Sequence, residues 1–494
     1  MTAWTAGGAT EPGRAPLLNR LAIPALLLLV AVAARAQTFG NPVTGYDEQF
    51  YLLVGDRMLH GAIPFVDIFD RKPVGLFLIY AFIRLLGGDG TVQYQLVAGG
   101  FAFATALLIW RFAERLTGRA GAVTAAISYL IWLDFLEGEA GQAPVFFNLP
   151  VLLAAMITQR LIEQRRVTAW AGMAPMLLIG IAMQIKYTAL FEGMFLGAVL
   201  LLAAWRERPG VARASGLALC WIMIALSPTI AAYLAYLAIR HGHEFLFANF
   251  VSMWGKSGDP LSTSAEGLLT IAAILSPILA CAAFGPPTDD QLLAQRRRFV
   301  GQWLAAAIAG MLVMRSFPSP HYAMPVLVPA LLAAAPRFGA SGRGKWAVPI
   351  TLLIAFAASQ IVLHSLRSMK GGASEAAAMA RAANPGKGCL YVYDGYTALY
   401  RLTNSCLLSR FVFPGHLNMA NEASTGALGV DPSAEVARIM AQRPVTVVLD
   451  DPPFDRGNRA TYAIVRAALA AHYVLSFQLR TGERYRQVWR LRDR

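Results

Sequence analysis

"YDEQFYLLVGDRMLHGAIPFVDIFDRKPVGLFLIY", residues 46–80, opens with two adjacent acids, Asp47 and Glu48, just after a continuous apolar run at 21–34. Two weakly apolar stretches lie in and just beyond it, 49–59 and 74–87, separated by Gly61, Pro64 and Pro73. Neither reaches the roughly 20 residues needed to cross hydrocarbon. Each has polar flanks or a polar face, which predicts helices lying along a membrane surface. Asp47, Glu48, Asp56, Arg57, Asp67, Asp70, Arg71 and Lys72 form a dense polar set in a charge-poor chain. Such helices would hold Asp47 and Lys72 at the interface, where a lipid headgroup meets a water-soluble group.

The rest of the chain explains why a membrane is present at all. Of 494 residues, 56% are hydrophobic and only 15% charged, and the mean hydropathy is +0.49. Long apolar runs recur at 21–34, 95–110, 120–136, 145–159, 168–185, 189–204, 214–238, 266–284, 299–314, 322–336 and 346–366. Read with their flanks, they predict a polytopic α-helical membrane protein of about eleven spans. The segments Arg111–Arg119, Arg160–Arg166, Arg206–Arg213, Arg296–Arg298 and Arg337–Lys345 each carry three basic residues and fall in alternate loops. The positive-inside rule places them in the cytoplasm, with Arg14 and Arg20 of the amino terminus. The connections 37–94, 137–144, 186–188, 239–265 and 315–321, and everything after residue 367, then face outward. The net charge of +14 follows from this topology and from a basic domain beside anionic lipid, so it calls for no nucleic acid. The segment "LAIPALLLLVAVAARAQ" also has the form of a signal peptide, with Ala34-Arg35-Ala36 at the cleavage position; cleavage would leave the downstream topology unchanged.

After residue 366 the apolar runs shorten to strand length: "CLYVYD" (389–394), "VTVVLD" (445–450), "YVLSFQL" (473–479) and "YRQVWRL" (485–491). Amphipathic segments at 433–442 and 459–472 lie between them, a pattern that predicts a small α/β domain. The expected organisation is a membrane domain over 1–366 and an outward soluble domain over 367–494. Cys220 and Cys281 lie within spans and read as small core residues. Cys389 and Cys406 lie in the outward domain, where an oxidising compartment allows a bridge.

The loop at 46–80 resembles the first periplasmic loop of polytopic GT-C glycosyltransferases. The similar group includes protein O-mannosyltransferases, lipid A aminoarabinose transferases and rhizobial core galacturonosyl transferases. The matching positions are Asp47, Tyr51, Gly61 with Pro64, Asp67, and Lys72-Pro73. Val74 departs from the pattern, which has a second proline there; Pro73 alone still supplies the fixed φ of a helix start. The resemblance implies a GT-C fold and a sugar donor on a polyprenyl phosphate or diphosphate. The acceptor it implies is a glycolipid, a polysaccharide such as lipopolysaccharide, or a protein.

The implied chemistry needs a base for the acceptor hydroxyl, and a carboxylate serves; Asp47 is the matching position. The leaving phosphate needs a fixed cation, for which Lys72 matches and Arg57 is an alternative. Tyr51 and Asp67 are implied to line the substrate site. No sequential nucleophile motif is present, which favours direct displacement with inversion. The competing reading of Asp47 is a helix cap, and of Lys72 a snorkelling chain. Glu48 reads as a solvated or helix-starting neighbour of Asp47. In the loop "LEGEAGQAP" (136–144), either Glu137 or Glu139 assists the base or binds a divalent cation; no other cofactor is implied. "SFPSPHYAMPVLVPALL" (316–332) resembles a family His-Tyr element, placing His321 near donor phosphate. Lys186, at the end of a span, marks either a cavity or a snorkelling side chain. "HGHE" (241–244) has poor spacing for metal ligands on a helix, and "GASGRGK" (339–345) lacks the Ser/Thr of a phosphate loop.

A transporter or flippase of lipid-linked saccharides is the alternative function, and an inactive scaffold a third. Transporters place ionisable residues or helix breaks near mid-span, often in duplicate. Here the acids concentrate in outward loops and no internal repeat is evident. Abundant arginine and alanine suit a GC-rich bacterium, hence an inner membrane facing a periplasm.

Overall fold

The computed structural model describes residues 17–340 and 347–492. Arg14 and residues 341–345 of the glycine-rich loop lie outside the described residues. The chain begins with α1 (Leu17–Arg35), α2 (Tyr46–Met58), α3 (Val74–Leu85), α4 (Thr91–Ala113) and α5 (Arg119–Phe135). It continues with α6 (Ala143–Glu163), α7 (Ala169–Met183), α8 (Leu190–Glu207), α9 (Val211–Ala238) and the short α10 (Gly242–Leu246). Then come α11 (Leu261–Ala283), α12 (Gln291–Met314), α13 (Met324–Phe338), α14 (Ala347–Lys370) and α15 (Ala373–Ala383). Each apolar run read from the sequence falls on its own helix, from α1 through α4–α9 to α11–α14. Among the described residues, six helices have the length and apolarity to cross a membrane.

Burial separates two kinds of helix. In the centre, α4, α5 and α6 meet through small buried residues: Ala98, Ala102 and Ala106 on α4, Ala122, Ala125 and Ala126 on α5, Ala154 and Ala155 on α6. Small side chains let helix backbones approach closely where lipid removes the hydrophobic drive for association. By contrast, α9, α11 and α14 expose Leu219, Ile222, Leu234, Leu269, Leu353 and Ile361. An apolar belt of this kind is stable against hydrocarbon and costly against water. Arg35, in the cleavage-like tripeptide, is buried and donates to the Gly138 carbonyl at 3.2 Å, which makes α1 part of the bundle.

The two short helices of the first loop appear as the alternation of apolar stretches and breakers predicts. Between them Gly61 takes a left-handed φ of 92°, and Asp67 closes the turn by accepting from the Ile63 N–H at 2.7 Å. Helix α3 starts from Pro73 as its N-cap, at φ −58° and ψ 149°. Where α2 crosses α3, a Cβ at Gly55 would stand 2.6 Å from the Ala81 nitrogen. Glycine alone permits that approach.

The C-terminal strands are β1 (Leu390–Val392), β2 (Thr446–Asp451), β3 (Tyr473–Thr481) and β4 (Arg484–Leu491). They form one sheet in the order β1-β2-β4-β3, with β1 parallel to β2 and the other pairs antiparallel. Helices at Pro432–Ala441 and Arg459–His472 accompany it, as the amphipathic segments predict. Cys389 and Cys406 form the disulfide that the sequence leaves open. The sheet is fastened to the end of α14 by Arg486, which donates to Asp450 at 2.7 Å and to the Lys370 carbonyl at 3.2 Å.

The loops sort to two ends of the bundle. Arg115 and Arg296, from separate basic loops, both pair with Glu163. At the other end, the first loop, residues 137–142 and the C-terminal sheet come together, as the site contacts below describe.

Candidate active site

Asp47 lies in the first turn of α2, but it does not cap the helix. The N-cap is Gly45, in extended conformation and with no side-chain cap bond. The Asp47 Oδ2 instead accepts from the Tyr51 hydroxyl, one turn along, and from the Gln142 amide, both at 3.0 Å. The Lys72 Nζ stands 4.0 Å from the same oxygen. Burial opposes ionisation of Asp47, yet the Lys72 and His321 charges and the bonds from Gln142 and Tyr51 outweigh it. Its carboxyl is held well below the usual range.

Lys72 is aimed by a local turn. The Asp70 Oδ1 accepts from the backbone N–H groups of Arg71 at 2.6 Å and Lys72 at 2.7 Å. This Asx arrangement suits aspartate because its short side chain reaches its own backbone two residues on. The Lys72 Nζ then lies 3.9 Å from Asp70 and 5.4 Å from the centre of the Tyr51 ring. Burial opposes the Lys72 charge, but Asp70 and Asp47 raise its pKa above the ordinary lysine value.

A second ammonium faces this one across the site. Lys186, in the connection between α7 and α8, sits over the Tyr322 ring at 3.7 Å. It is buried, and its Nζ has no hydrogen-bond partner. Burial first, and then Lys72, lower its pKa to about 7 despite Asp47 and Glu137. An unpartnered buried ammonium is expensive, and the lowered pKa is the form that cost takes here. His321 follows, its Nδ1 2.8 Å from the Glu137 Oε2. Glu137 holds a left-handed φ of 59° just past the C-cap of α5, a position where helices commonly end in that conformation. Burial and Lys186 lower the His321 pKa, against the pull of Glu137.

Glu139 and Glu48 form a different environment. Both are buried, and the Oε2 of each lacks a partner. Burial raises the pKa of both, that of Glu48 further through Asp47 and Glu139. Glu48 stands in the first turn of α2, as its helix-starting reading has it, but it is buried rather than solvated. Glu139 lines a small groove with Gln37, Asn41, Thr44, Arg367 and Lys370.

Asp47, Tyr51, Lys72, Lys186, His321 and Glu137 thus come together, and Glu139 lines the adjoining groove. Arg57 and Asp67 do not join them. Arg57 donates to the Ser405 carbonyl at 2.6 Å, tying α2 to the C-terminal part, and Asp67 is spent on its own turn. Each is engaged by a main-chain group, Arg57 from far along the chain and Asp67 within its own turn. In HGHE, His241 lies 3.6 Å from Glu244. Among the described residues, no three His, Cys, Asp or Glu side chains gather as a metal-ligand set. Asp70, Gln142 and Tyr322 escaped the sequence reading. The Asx spacing before Lys72 is a local signal for Asp70, and Tyr322 adjoins His321, whereas nothing local marks Gln142.

Comparisons with known proteins bear on the fold. Residues 70–248 match the family model described as dolichyl-phosphate-mannose-protein mannosyltransferase. The structure of ArnT from Cupriavidus metallidurans bound to undecaprenyl phosphate is similar, with a TM-score of 0.58 and 13% identity. That similarity covers 96% of this chain and 98% of ArnT. The apo oligosaccharyltransferase of Archaeoglobus fulgidus gives a TM-score of 0.45 and 12% identity, over 88% and 70% of the two chains. No curated protein sequence matches the chain. The fold is the GT-C-like fold that this chain shares with ArnT over nearly its whole length, and the family match covers residues 70–248 within it.

Proposed function

We propose that the chain transfers a sugar from a polyprenyl-phosphate-linked donor to a hydroxyl-bearing acceptor, with inversion at the anomeric carbon. The acceptor is a glycolipid, a polysaccharide or a protein, and the sugar a hexose or pentose. The observation that carries this reading is the pairing of the Asp47 carboxylate with Lys72 at 4.0 Å, opposite the unpartnered ammonium of Lys186. The donor phosphate lies between Lys72 and Lys186, beside Tyr322 and His321. The acceptor approaches from the groove lined by Glu139 and Gln37.

Asp47 takes the acceptor proton as the acceptor oxygen attacks the anomeric carbon. The bond from that carbon to the phosphate oxygen breaks, and the phosphate leaves with the electron pair. Lys72 and Lys186 stabilise the developing charge. A carboxylate held far below neutral pH by a cation is a weak base. Phosphate binding diverts Lys72 from Asp47 and raises the Asp47 pKa toward the working range, so the base strengthens once the donor is in place. Gln142 and Tyr51 keep the carboxylate oriented, and His321 is steadied by Glu137.

The same reading divides the chain into a membrane domain over 1–366 and a soluble α/β domain over 367–494. It places both the site and the soluble domain on the periplasmic side of a bacterial inner membrane. The deciding experiment is a transfer assay with purified protein and a panel of polyprenyl-linked sugars, comparing wild type with Asp47→Asn. Transfer by wild type and its loss in Asp47→Asn are expected. Full activity in the mutant overturns the base assignment, and translocation without transfer favours a lipid-linked saccharide transporter.

A further inference from the structure

The segment that aims Lys72 is held from two sides, and one of them lies some 350 residues away in sequence. Arg71 forms a two-pronged ion pair with Glu422, both oxygens at 2.7 Å. Its guanidinium also donates to the Ser252 hydroxyl at 3.0 Å and to the Ala427 carbonyl at 2.7 Å. Glu422 is buried, and Lys256 approaches its second face at 3.3 Å. Burial opposes its charge, but the bonds and charge of Arg71, and then Lys256, hold its carboxyl below the usual range. It is ionised and fully engaged.

We propose that Glu422 is a positioning residue for the donor phosphate: through Arg71 it fixes the turn from which Lys72 reaches the site. The proposal rests on the donor reading given above. Its logic is geometric. Asp70 binds the N–H groups of Arg71 and Lys72 from inside the turn, which sets the local shape but not where the turn sits. The fork of Arg71 on Glu422 supplies that second constraint. Guanidinium and carboxylate match in a planar, two-bond geometry that a lysine cannot reproduce. The neighbouring contacts point the same way. Phe69 donates its N–H to the Arg410 carbonyl at 2.9 Å and packs on Phe411, so Phe69 and Arg71 on either side of Asp70 are both gripped by the C-terminal part. The soluble part is then a component of the donor site. Misplacing a reacting or binding group by about 1 Å costs up to about 100-fold, and a loosened turn puts Lys72 at that risk.

The test uses full-length protein and undecaprenyl phosphate itself as probe, with equilibrium binding measured well below the unfolding temperature. A double-mutant cycle separates positioning from plain stabilisation. Glu422→Gln is expected to weaken binding about tenfold when Lys72 is present, and to add nothing in a Lys72→Met background. Arg71→Lys, which keeps the charge and loses the fork, is expected to behave as Glu422→Gln does. It serves as the readout should the glutamine variant fail to fold. Unchanged affinity in the single variants, or equal weakening with and without Lys72, overturns the proposal while leaving the donor site intact. Wild-type protein that does not bind the probe overturns the donor reading and this inference with it.

Discussion

Asp47 and Lys186 are opposite cases of one principle: a buried charge is set by what faces it. Asp47 has two hydrogen-bond donors and an ion pair, so it is charged throughout the physiological range. Replacing it by asparagine keeps the size and the bonds to Gln142 and Tyr51 while removing the proton acceptor. Transfer should fall by about 100- to 10,000-fold, with undecaprenyl phosphate still bound, as paired rate and binding measurements would read. Lys186 lacks a partner, and its pKa of about 7 makes donor binding a proton-linked event. A bound phosphate favours the ammonium and raises that pKa. Below pH 7 the charge already exists, so affinity is flat. Above pH 7 binding must take a proton from solution, and affinity should fall by up to about tenfold per pH unit. Lys186→Arg stays charged and should flatten the profile between pH 7 and 9. A wild-type affinity that is flat or rises across that interval would remove Lys186 from the phosphate site.

At the scale of elements, apolar runs and breakers made the helices and strands legible because those signals are local. A run of small and apolar residues between charged ends is a helix in lipid wherever it packs. The same locality explains the misses. Gln142 reaches Asp47 across 95 residues, and Glu422 reaches Arg71 across 351, so neither partner carries a mark in its own neighbourhood. Arg57 and Asp67 belong to the same motif but are engaged by main-chain groups, Asp67 by the Ile63 N–H of its own turn and Arg57 by the Ser405 carbonyl 348 residues away. Glu48 starts its helix but is buried rather than solvated, because adjacency in sequence puts side chains on different faces of a helix, one toward the site and one into the core. The disulfide is an element-scale feature too, closing the chain from Cys389 to Cys406 around β1. A loop of this length contributes about 3 kcal/mol by restricting the unfolded chain. Cys389→Ser with Cys406→Ser should therefore lower the unfolding temperature of the C-terminal part, measured with and without reductant. Reductant that lowers the wild-type temperature and leaves the double variant unmoved is the expected pattern.

Over the whole molecule, the sequence and the packing constrain orientation independently. The basic loops alternate along the chain, and the contacts of Arg115 and Arg296 with Glu163 bring loops of that parity to one end. The first loop, Glu137, Lys186, His321 and the sheet meet at the other. A multi-pass chain with this parity has one free choice, which end faces the cytoplasm. The positive-inside rule predicts the arginine-rich end to be cytoplasmic, because translocating clustered arginines is disfavoured whereas acidic loops cross with little penalty. Labelling tests this directly. In a background lacking Cys220 and Cys281 but keeping the disulfide, cysteine is introduced at exposed Asp455 or exposed Asp289. Asp455 lies in the C-terminal part, and Asp289 just before α12, on the arginine side. A membrane-impermeant maleimide applied to spheroplasts should label Asp455→Cys at once and Asp289→Cys only after lysis. The opposite order would put the proposed site in the cytoplasm. A donor presented on the periplasmic leaflet would then be out of reach, so the outcome bears on the reaction as much as on the topology.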